Sequence, residues 1–397
     1  MHMQQHKKVF HKIIYFVHCY PPALGGLEYL SGEIVKLLRD AGHDVQVITG
    51  KGSTLDSYKT FDNWVDETTD PTYIHRLSLR TSAQRLANKF LNKLIFLTGS
   101  VSPWYFGPLL EYDKKTLELI QSADVIIGAG MPTMMFYEAY RFAKQYQKRL
   151  IVIPAYHDVN YYNRSLPFQN VLSFAHKVLF LSPLEKEQLQ KHYRIDSNKL
   201  VQFTYCPYTK AEMESAQSKY EKKIVEIEQK LEKGSAITIG FVGQITLRKN
   251  FQFFADFIRK NGAELKSKKV RLRFLFAGAR TNSSPQVEAM FEDLDAEVRF
   301  IYDFADKNAI YKQIDIFINP SEEESLGLVN FDALAQGLPV FVHKDSAFAS
   351  LSNEYKNKIL QSNNLTIQTD LFHNFSTLSQ FFIYNLVYSS QGLFNYL

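Results

Sequence analysis

The sequence predicts an α/β protein with two tandem, doubly wound domains that face each other across a cleft. Three observations lead to this prediction. Short apolar runs alternate with helical patterns through residues 13–182, residues 210–233 are dense in Lys and Glu, and a second alternating series begins after Gly234. Strands that alternate with helices form parallel sheets covered by helices on both faces. We therefore expect two such sheets, joined by a charged connector.

The first series begins with a strand, a helix and a second strand. Residues 13–17 are apolar, apolar residues then recur between 27 and 41 at the spacing of one helix face, and Gly42 marks the end of that helix. The next strand is expected at residues 44–49. Further apolar runs at 125–128, 150–154 and 177–182 continue the alternation.

The second series contains apolar runs at 237–242, 271–277, 298–301, 314–319 and 339–342. We predict Rossmann-like domains at 1–206 and 207–397. The tail is expected to pack back on the N-terminal domain. Opposite charges three or four residues apart in 210–233 favour a solvated helix.

The composition is that of a globular protein. Of the 397 residues, 45% are hydrophobic and 22% charged, which excludes a disordered chain, and a net charge of +5 is too small to favour a nucleic-acid partner. The two cysteines, Cys19 and Cys206, stand in no metal-binding or disulfide pattern, so we expect a reducing, cytoplasmic setting. The sequence contains no run of about 18 apolar residues, so no membrane-spanning helix is predicted.

The most informative segment runs from Pro320 to Pro339. It follows an apolar strand and enters a helix near Leu328, so Ser325, Leu326, Gly327 and Leu328 are expected at a helix N-terminus, where amide groups and the helix dipole favour a phosphate. Glu324 and Asp332 are eight residues apart, about two helical turns, and could face one ligand. The alternative is that the acidic residues only complement the helix dipole and the solvent.

Three other positions could contribute to a site. Arg248 and Lys249 follow the strand at 237–242 and could clamp a diphosphate, although adjacent basic residues in a loop are often only surface charge. Gly25 and Gly26 follow the first strand, where backbone amides could face an anion. His157 follows the strand at 150–154, but a lone histidine is more often structural.

Together these segments resemble glycosyltransferase family 4, the retaining transferases of the two-Rossmann-domain GT-B fold. The resemblance rests on Pro-Pro-Ala-Leu-Gly-Gly-Leu-Glu at 21–28, Gly-His-Asp-Val-Gln-Val-Ile-Thr at 42–49, Phe-Val-Gly-Gln-Ile-Thr-Leu-Arg-Lys-Asn at 241–250, and the segment from Pro320 to Val340. These motifs occur in the family's order and spacing over most of residues 13–343.

The resemblance implies that the N-terminal domain binds the acceptor and the C-terminal domain the donor, and it implies a role for each position. Glu324 would contact the donor sugar's hydroxyls, the amides of Ser325 to Leu328 its distal phosphate, and Asp332 the ribose. Lys249, with Arg248, would neutralise the diphosphate. Gly25 and Gly26 would close over the phosphates, and His157 would lie near the transferred sugar. The nucleotide sugar is then a substrate, and neither a cofactor nor a metal is required.

Three departures from the family pattern leave an alternative open, the first being an atypical tail without the family's usual glycine-rich loop after Val342. Asp332 stands where Glu is usual, and Gln244 where Arg is usual, so a catalytically degenerate protein that binds a nucleotide or a partner is the competing hypothesis. A sugar-nucleotide epimerase of the same fold is a third, weaker one.

Residues 76–106 bear on the acceptor. Between Pro71 and Leu110 there are five basic residues and no acidic one, and Arg85, Lys89 and Lys93 recur beside apolar residues. This pattern suits a helix on an anionic membrane, and equally a helix that covers its own sheet. On the first interpretation the protein is peripheral on the inner face of the cell membrane and its acceptor is a glycan or lipid-linked glycan.

Overall fold

The computed structural model describes residues 10–53 except 24, 71–78, 110–158, 166–351 except 268, 303, 305, 322 and 344, and 375–378. The chain forms two compact units. The first contains Met1–Phe180 with Glu185–Gln202, and the second contains Leu181–Leu184 with Phe203–Gly392.

The first unit alternates strands and helices along the chain. Its elements are β1 (Lys12–Phe16), α1 (Gly26–Asp40), β2 (Asp44–Gly50), β3 (Ile74–Leu77), α2 (Lys114–Gln121), β4 (Val125–Ala129), α3 (Met134–Gln145), β5 (Arg149–Ile153), α4 (Leu166–Phe174), β6 (Lys177–Phe180), α5 (Pro183–His192) and β7 (Leu200–Gln202).

Within the described residues these strands form one parallel sheet in the order β3-β2-β1-β4-β5-β6-β7. Strands β1 and β4 are almost entirely buried, as expected for central strands with helices on both faces. The strand order reverses direction between β1 and β4, and ligands of doubly wound sheets bind beyond the carboxyl ends of the strands at such a switch point.

The second unit repeats the plan. Its elements are α6 (Lys210–Glu232), β8 (Ile237–Val242), α7 (Gln252–Ser267), β9 (Leu272–Ala277), α8 (Ser284–Ala289), β10 (Glu297–Ile301), α9 (Lys307–Tyr311), β11 (Ile316–Asn319), α10 (Leu328–Ala335), β12 (Val340–His343) and β13 (Phe375–Leu378). The sheet order in the described chain is β10-β9-β8-β11-β12-β13, with β13 antiparallel to β12. The switch point therefore lies between β8 and β11.

The predicted fold class, two doubly wound α/β domains, is confirmed. Each unit has its own buried core, and the second is rich in phenylalanine, with Phe251, Phe254, Phe274 and Phe276 in mutual ring contact. The sequence pattern did not reveal β3, β7 and β13, which are short strands at or next to sheet edges.

Helix α6 differs from the solvated connector that its charge predicted. Met213, Ala216 and Ile227 are buried along one face. Lys219 Nζ donates to the carbonyl of Ala335 at 3.0 Å, which joins α6 to the end of α10. The helix is therefore part of the second unit's packing, and only its outer face is solvated.

The proposed membrane segment 76–106 needs one correction. Arg76 is buried and donates hydrogen bonds to the carbonyls of Tyr20 at 3.3 Å and Pro21 at 2.6 Å, so this arginine supports the turn after β1 and does not face a membrane. Residues 79–106 lie outside the described residues, as does the tail after 378. In the described part, no helix has the length and hydropathy needed to span a bilayer.

Candidate active site

The site in the second unit is built at the switch point between β8 and β11. The loop after β8 passes through a short 3₁₀ turn, Leu247–Lys249, and the loop after β11 leads through Pro320 to α10. Asn250, in the left-handed conformation, donates from Nδ2 to the carbonyl of Pro320 at 3.4 Å and so links the two loops. Parallel pairing of β8 and β11 is what brings these segments, 70 residues apart, together.

Lys249 and Glu324 form an ion pair in this place. Lys249 Nζ bonds to Glu324 Oε1, and the side chains are only 15% and 9% exposed. Glu324 Oε2 accepts a second bond, from Asn319 Nδ2 at 3.1 Å, at the end of β11. The carboxylate is thereby held by the turn after β8 and by the end of β11, and its charge-assisted bonds are stronger than ordinary ones.

Gly327 shapes the start of α10. It is the N-cap residue of the helix, its φ of 75° is left-handed, and, being a glycine, it offers no side chain to cap the helix. A Cβ at this position would overlap Glu324 Oε2 and Asn330 Nδ2. The backbone thus turns tightly past the carboxylate, and the helix N-terminus is left for an external acceptor such as a phosphate.

Two buried polar groups beside this turn lack hydrogen-bond partners among the described residues. Asn330 is 1% exposed; its Oδ1 accepts from Asn319 Nδ2 at 3.1 Å, while its Nδ2 has no acceptor. Ser321 Oγ is likewise unpaired. Unsatisfied buried polar groups are costly and mark places where a ligand or water belongs.

Asp332, one turn into α10, is held by two donors. Tyr208 Oη donates to Oδ1 at 2.6 Å, and Lys307 Nζ donates to the same oxygen at 2.9 Å. Neither Tyr208 nor Lys307 belongs to a motif recognised in the sequence. Arg248 lies exposed in the 3₁₀ turn, next to Lys249.

In the first unit, Gly25 and Gly26 begin α1 as predicted. Glu28, in the first turn of that helix, lies under Gly25, where a Cβ would overlap its Oε2. The Glu28 carboxylate is 3.1 Å from His18 Nε2. Both groups are buried, so the glycine turn packs against a polar pair, His18 and Glu28, at the end of β1.

Cys19 lies against this pair. Burial, with the Glu28 carboxylate as the next cause, raises the pKa of the Cys19 thiol well above its usual range. His18, Cys19 and Glu28 bring potential ligand atoms within 4.8 Å of one another, which among the described residues is the grouping that could hold a metal ion together. The predicted independence from metals is not tested by this observation.

His157 follows β5, at the carboxyl edge where it was predicted. Its neighbour Asp158 accepts from His192 Nε2 at 2.7 Å, and the amide of Tyr156 donates to Glu185 Oε1 at 2.8 Å. These contacts fix the segment around His157. Its predicted role near the transferred sugar remains a prediction.

The structure therefore gathers Lys249, Glu324 and the segment Ser325–Leu328 at one place and adds Asn319 and Asn330, which sequence reasoning missed. Asn319 was the polar residue that ends an apolar strand at a switch point, and this signal could have identified it. Asn330 carried no comparable signal, because a polar residue near a helix start is common.

Comparison with known proteins bears on the second unit first. Residues 236–369 match the family model described as "Glycosyl transferases group 1". A comparison with curated protein sequences finds no significant match.

Solved structures extend the likeness over both units. WaaG, a glycosyltransferase involved in lipopolysaccharide biosynthesis, has a TM-score of 0.54 at 16% identity, over 97% of this chain and 92% of its own. A glycosyltransferase from Rickettsia africae ESF-5 has a TM-score of 0.54 at 17% identity, over 98% of both chains. The N-terminal domain of trehalose-6-phosphate phosphatase from Candida albicans gives 0.58 at 12% identity, over 100% and 98%.

These likenesses establish the GT-B fold, and with the group 1 match they confirm the resemblance to GT-B glycosyltransferases. Assignment to family 4 in particular stays a prediction. The arrangement offers a helix start that suits an anion, beside an ammonium group and a carboxylate that contact each other.

Proposed function

We propose that the protein is a retaining, metal-independent glycosyltransferase. It transfers a hexosyl or hexosaminyl group from a nucleotide sugar to a glycan or lipid-linked glycan acceptor in cell-surface polysaccharide assembly. The observation that supports this most is the Lys249–Glu324 pair at the uncapped start of α10. A nucleotide sugar carries both groups that this arrangement suits, a diphosphate and sugar hydroxyls.

In this mechanism the cation and the helix start share the leaving-group charge. Lys249, with Arg248 beside it, neutralises the diphosphate while the amides from Ser325 to Leu328 contact the distal phosphate. Glu324 accepts hydrogen bonds from the sugar, and Asn330 Nδ2 supplies a donor that has no acceptor among the described residues. Gly25 and Gly26 close over the phosphates, His157 lies near the sugar, and Asp332 contacts the ribose.

The chemical step is front-face substitution. The anomeric C–O bond to the diphosphate breaks, the acceptor oxygen bonds to the same face of that carbon, and the departing phosphate takes the acceptor's proton. The anomeric configuration is retained. No metal is required, because the positive groups are supplied by the chain.

Nucleotide release from a panel of nucleotide sugars, with and without a glycan acceptor, tests this function. Glu324→Gln should lower turnover by about 100-fold or more, as for loss of an oriented polar contact in a transition state. The matched control is Glu323→Gln, which changes a neighbouring carboxylate outside the ion pair. Activity should survive EDTA, and NMR of the product should show the donor's anomeric configuration. An inverted product, or no turnover with any donor, would contradict the proposal.

A second candidate function is a degenerate relative that binds a nucleotide or a partner protein without transfer. Gln244 and Asp332, which depart from the family pattern, favour it. Calorimetry would then show nucleotide binding without turnover, and the combined change Gln244→Arg and Asp332→Glu would not create activity. Turnover by the wild-type protein excludes this candidate.

We propose that the protein works in the cytoplasm, peripheral on the inner face of the cell membrane, with residues 79–106 as the contact. The motivation is the basic and aromatic pattern of that segment. Sedimentation with vesicles of anionic and of neutral lipids tests it. Binding to anionic vesicles that is lost when Arg85, Lys89 and Lys93 are changed to Gln would support the contact, and equal pelleting of the variant would contradict it.

A further inference from the structure

Asp332 receives both of its hydrogen bonds on one oxygen. Tyr208 Oη and Lys307 Nζ reach Oδ1 at 2.6 and 2.9 Å. A carboxylate has about four acceptor positions over its two oxygens. In the part of the chain that the structure describes, Oδ2 receives no hydrogen bond, although the side chain is only 13% exposed. The carboxylate is thus anchored at one end and available at the other.

Both anchors are themselves fixed by helix starts. Tyr208 precedes Thr209, whose side chain forms a reciprocal capping box with Glu212 at the start of α6. Lys307 follows Asp306, whose carboxylate caps α9 by accepting from the amide of Asn308. Three helices, α6, α9 and α10, therefore converge on one carboxylate oxygen.

The Asp332 carboxylate lies next to a buried tyrosine, so its hydrogen bonds matter for stability. Tyr311 lies beside Asp332 and donates to the carbonyl of Val329 at 3.2 Å. Burial, and next the Asp332 carboxylate, raise the pKa of Tyr311 well above its ordinary value. The Asp332 side chain lies at the edge of the interior, where a carboxylate without compensating donors would be costly.

Position along α10 indicates what the available oxygen meets. Asp332 lies four residues after Leu328, about 6 Å along the helix from the end expected to bind the phosphate. In a nucleotide the ribose is the group joined directly to the diphosphate. On the proposed function, the ribose hydroxyls are therefore the donors nearest to Oδ2.

We propose that Tyr208 and Lys307 are positioning residues for ribose recognition. By holding Oδ1, they orient Oδ2 to accept a hydrogen bond from the ribose hydroxyls. Two fixed donors also make up for the methylene that Asp332 lacks relative to the usual Glu, because they restrict the shorter side chain to one orientation. This inference rests on the proposed function, since it requires a nucleotide at the start of α10.

The test compares UDP, GDP and ADP with their 2′,3′-dideoxy forms, each titrated calorimetrically into the full-length protein. For the nucleotide that the wild type binds, Tyr208→Phe and Lys307→Met should each weaken binding of the ribose form about fivefold, the value of one ordinary hydrogen bond. Binding of the dideoxy form should change less than twofold. The ratio of the affinity for the ribose form to the affinity for the dideoxy form then falls toward one in both variants.

Matched controls are Tyr220→Phe on α6 and Lys312→Met directly after α9, which should leave both affinities unchanged. Lys307 has an exposed side chain, so its variant tests the proposal even if Tyr208→Phe fails to fold. Equal weakening of the ribose and dideoxy forms, or no weakening, would overturn the positioning role alone. Failure of all three ribose nucleotides to bind the wild-type protein would overturn the proposed function and this inference with it.

Discussion

The ion pair of Lys249 and Glu324 links two loops at the centre of the candidate site. Both side chains are largely buried, so each charge depends on the other for compensation. The acid and the base could be predicted from the sequence because each stands in a motif at the end of an apolar strand. Their mutual contact could not, since it depends on which strands are neighbours.

A double-mutant cycle measures this dependence. Lys249→Met and Glu324→Gln should each lower the free energy of unfolding by about 1–3 kcal/mol, because each leaves a partly buried group unpaired. The double variant should lose less unfolding free energy than the two single variants lose together. Urea unfolding should give a coupling energy between the two residues of at least about 0.5 kcal/mol. Strict additivity would show that the contact does not form in solution.

Gly327 is the second residue on which the site depends. Gly327→Ala should destabilise the protein by about 1–3 kcal/mol, because a left-handed φ and an overlap with the Glu324 carboxylate are combined at one position. Gly262→Ala is the matched control: it lies inside α7, where a Cβ meets nothing within 4 Å, and should stabilise the protein by about 0.5–1 kcal/mol. Thermal unfolding of both variants checks this, and equal shifts would contradict it.

At the level of elements, α6 shows where sequence patterns fail. The many Lys and Glu residues of α6 masked the narrow apolar stripe that it buries. The helix also contacts Ala335 at the end of α10, more than a hundred residues away in the sequence. The central strands were predicted within a residue or two because burial on both faces demands continuous apolar runs. Edge strands such as β7 are half-solvated and carry no such run.

The capping box of α6 gives a prediction at this scale. Thr209→Ala should cost about 1 kcal/mol, because Thr209 and Glu212 satisfy each other's groups at the helix start. Hydrogen bonds from Thr209 lower the pKa of Glu212 below its ordinary value of 4.5. A carboxyl with a lowered pKa stabilises the fold above that value and loses the effect as the pH falls.

Urea unfolding of wild type and Thr209→Ala at pH 7 and at pH 3 measures both effects. The difference between the two proteins should shrink at pH 3. Ser218→Ala, exposed within the same helix, is the control and should cost less than 0.5 kcal/mol. A difference that does not depend on pH would contradict the role of the Glu212 carboxylate.

For the whole molecule, two separate cores imply two separable unfolding events. The first unit packs around residues such as Phe136 and Phe168, and the second around its phenylalanine cluster. Calorimetry should show two unfolding transitions. A bound nucleoside diphosphate should raise the midpoint temperature of only one of them, the transition whose midpoint Gly327→Ala lowers. A single transition that responds as a whole would contradict independent cores.

The fold could be predicted at this scale because the alternation of strands and helices repeats over most of the chain. The site could be predicted only in part. Tyr208 and Asp332 are 124 residues apart, and no local pattern connects them. The contacts that position the side chains of a site come from residues that are close in space but far apart in the sequence, so a sequence pattern does not reveal them.

On the proposed function, the Lys249–Glu324 ion pair makes donor binding an exchange of one anionic partner of the lysine for another. A diphosphate that binds Lys249 as proposed would displace the Glu324 carboxylate, so the measured affinity would be the difference between two attractions to one ammonium group. Neutralising the competitor should therefore tighten the binding of pyrophosphate to Glu324→Gln, even while sugar transfer is lost. Weaker pyrophosphate binding by that variant would show that the carboxylate helps to hold the lysine in place rather than competing for it.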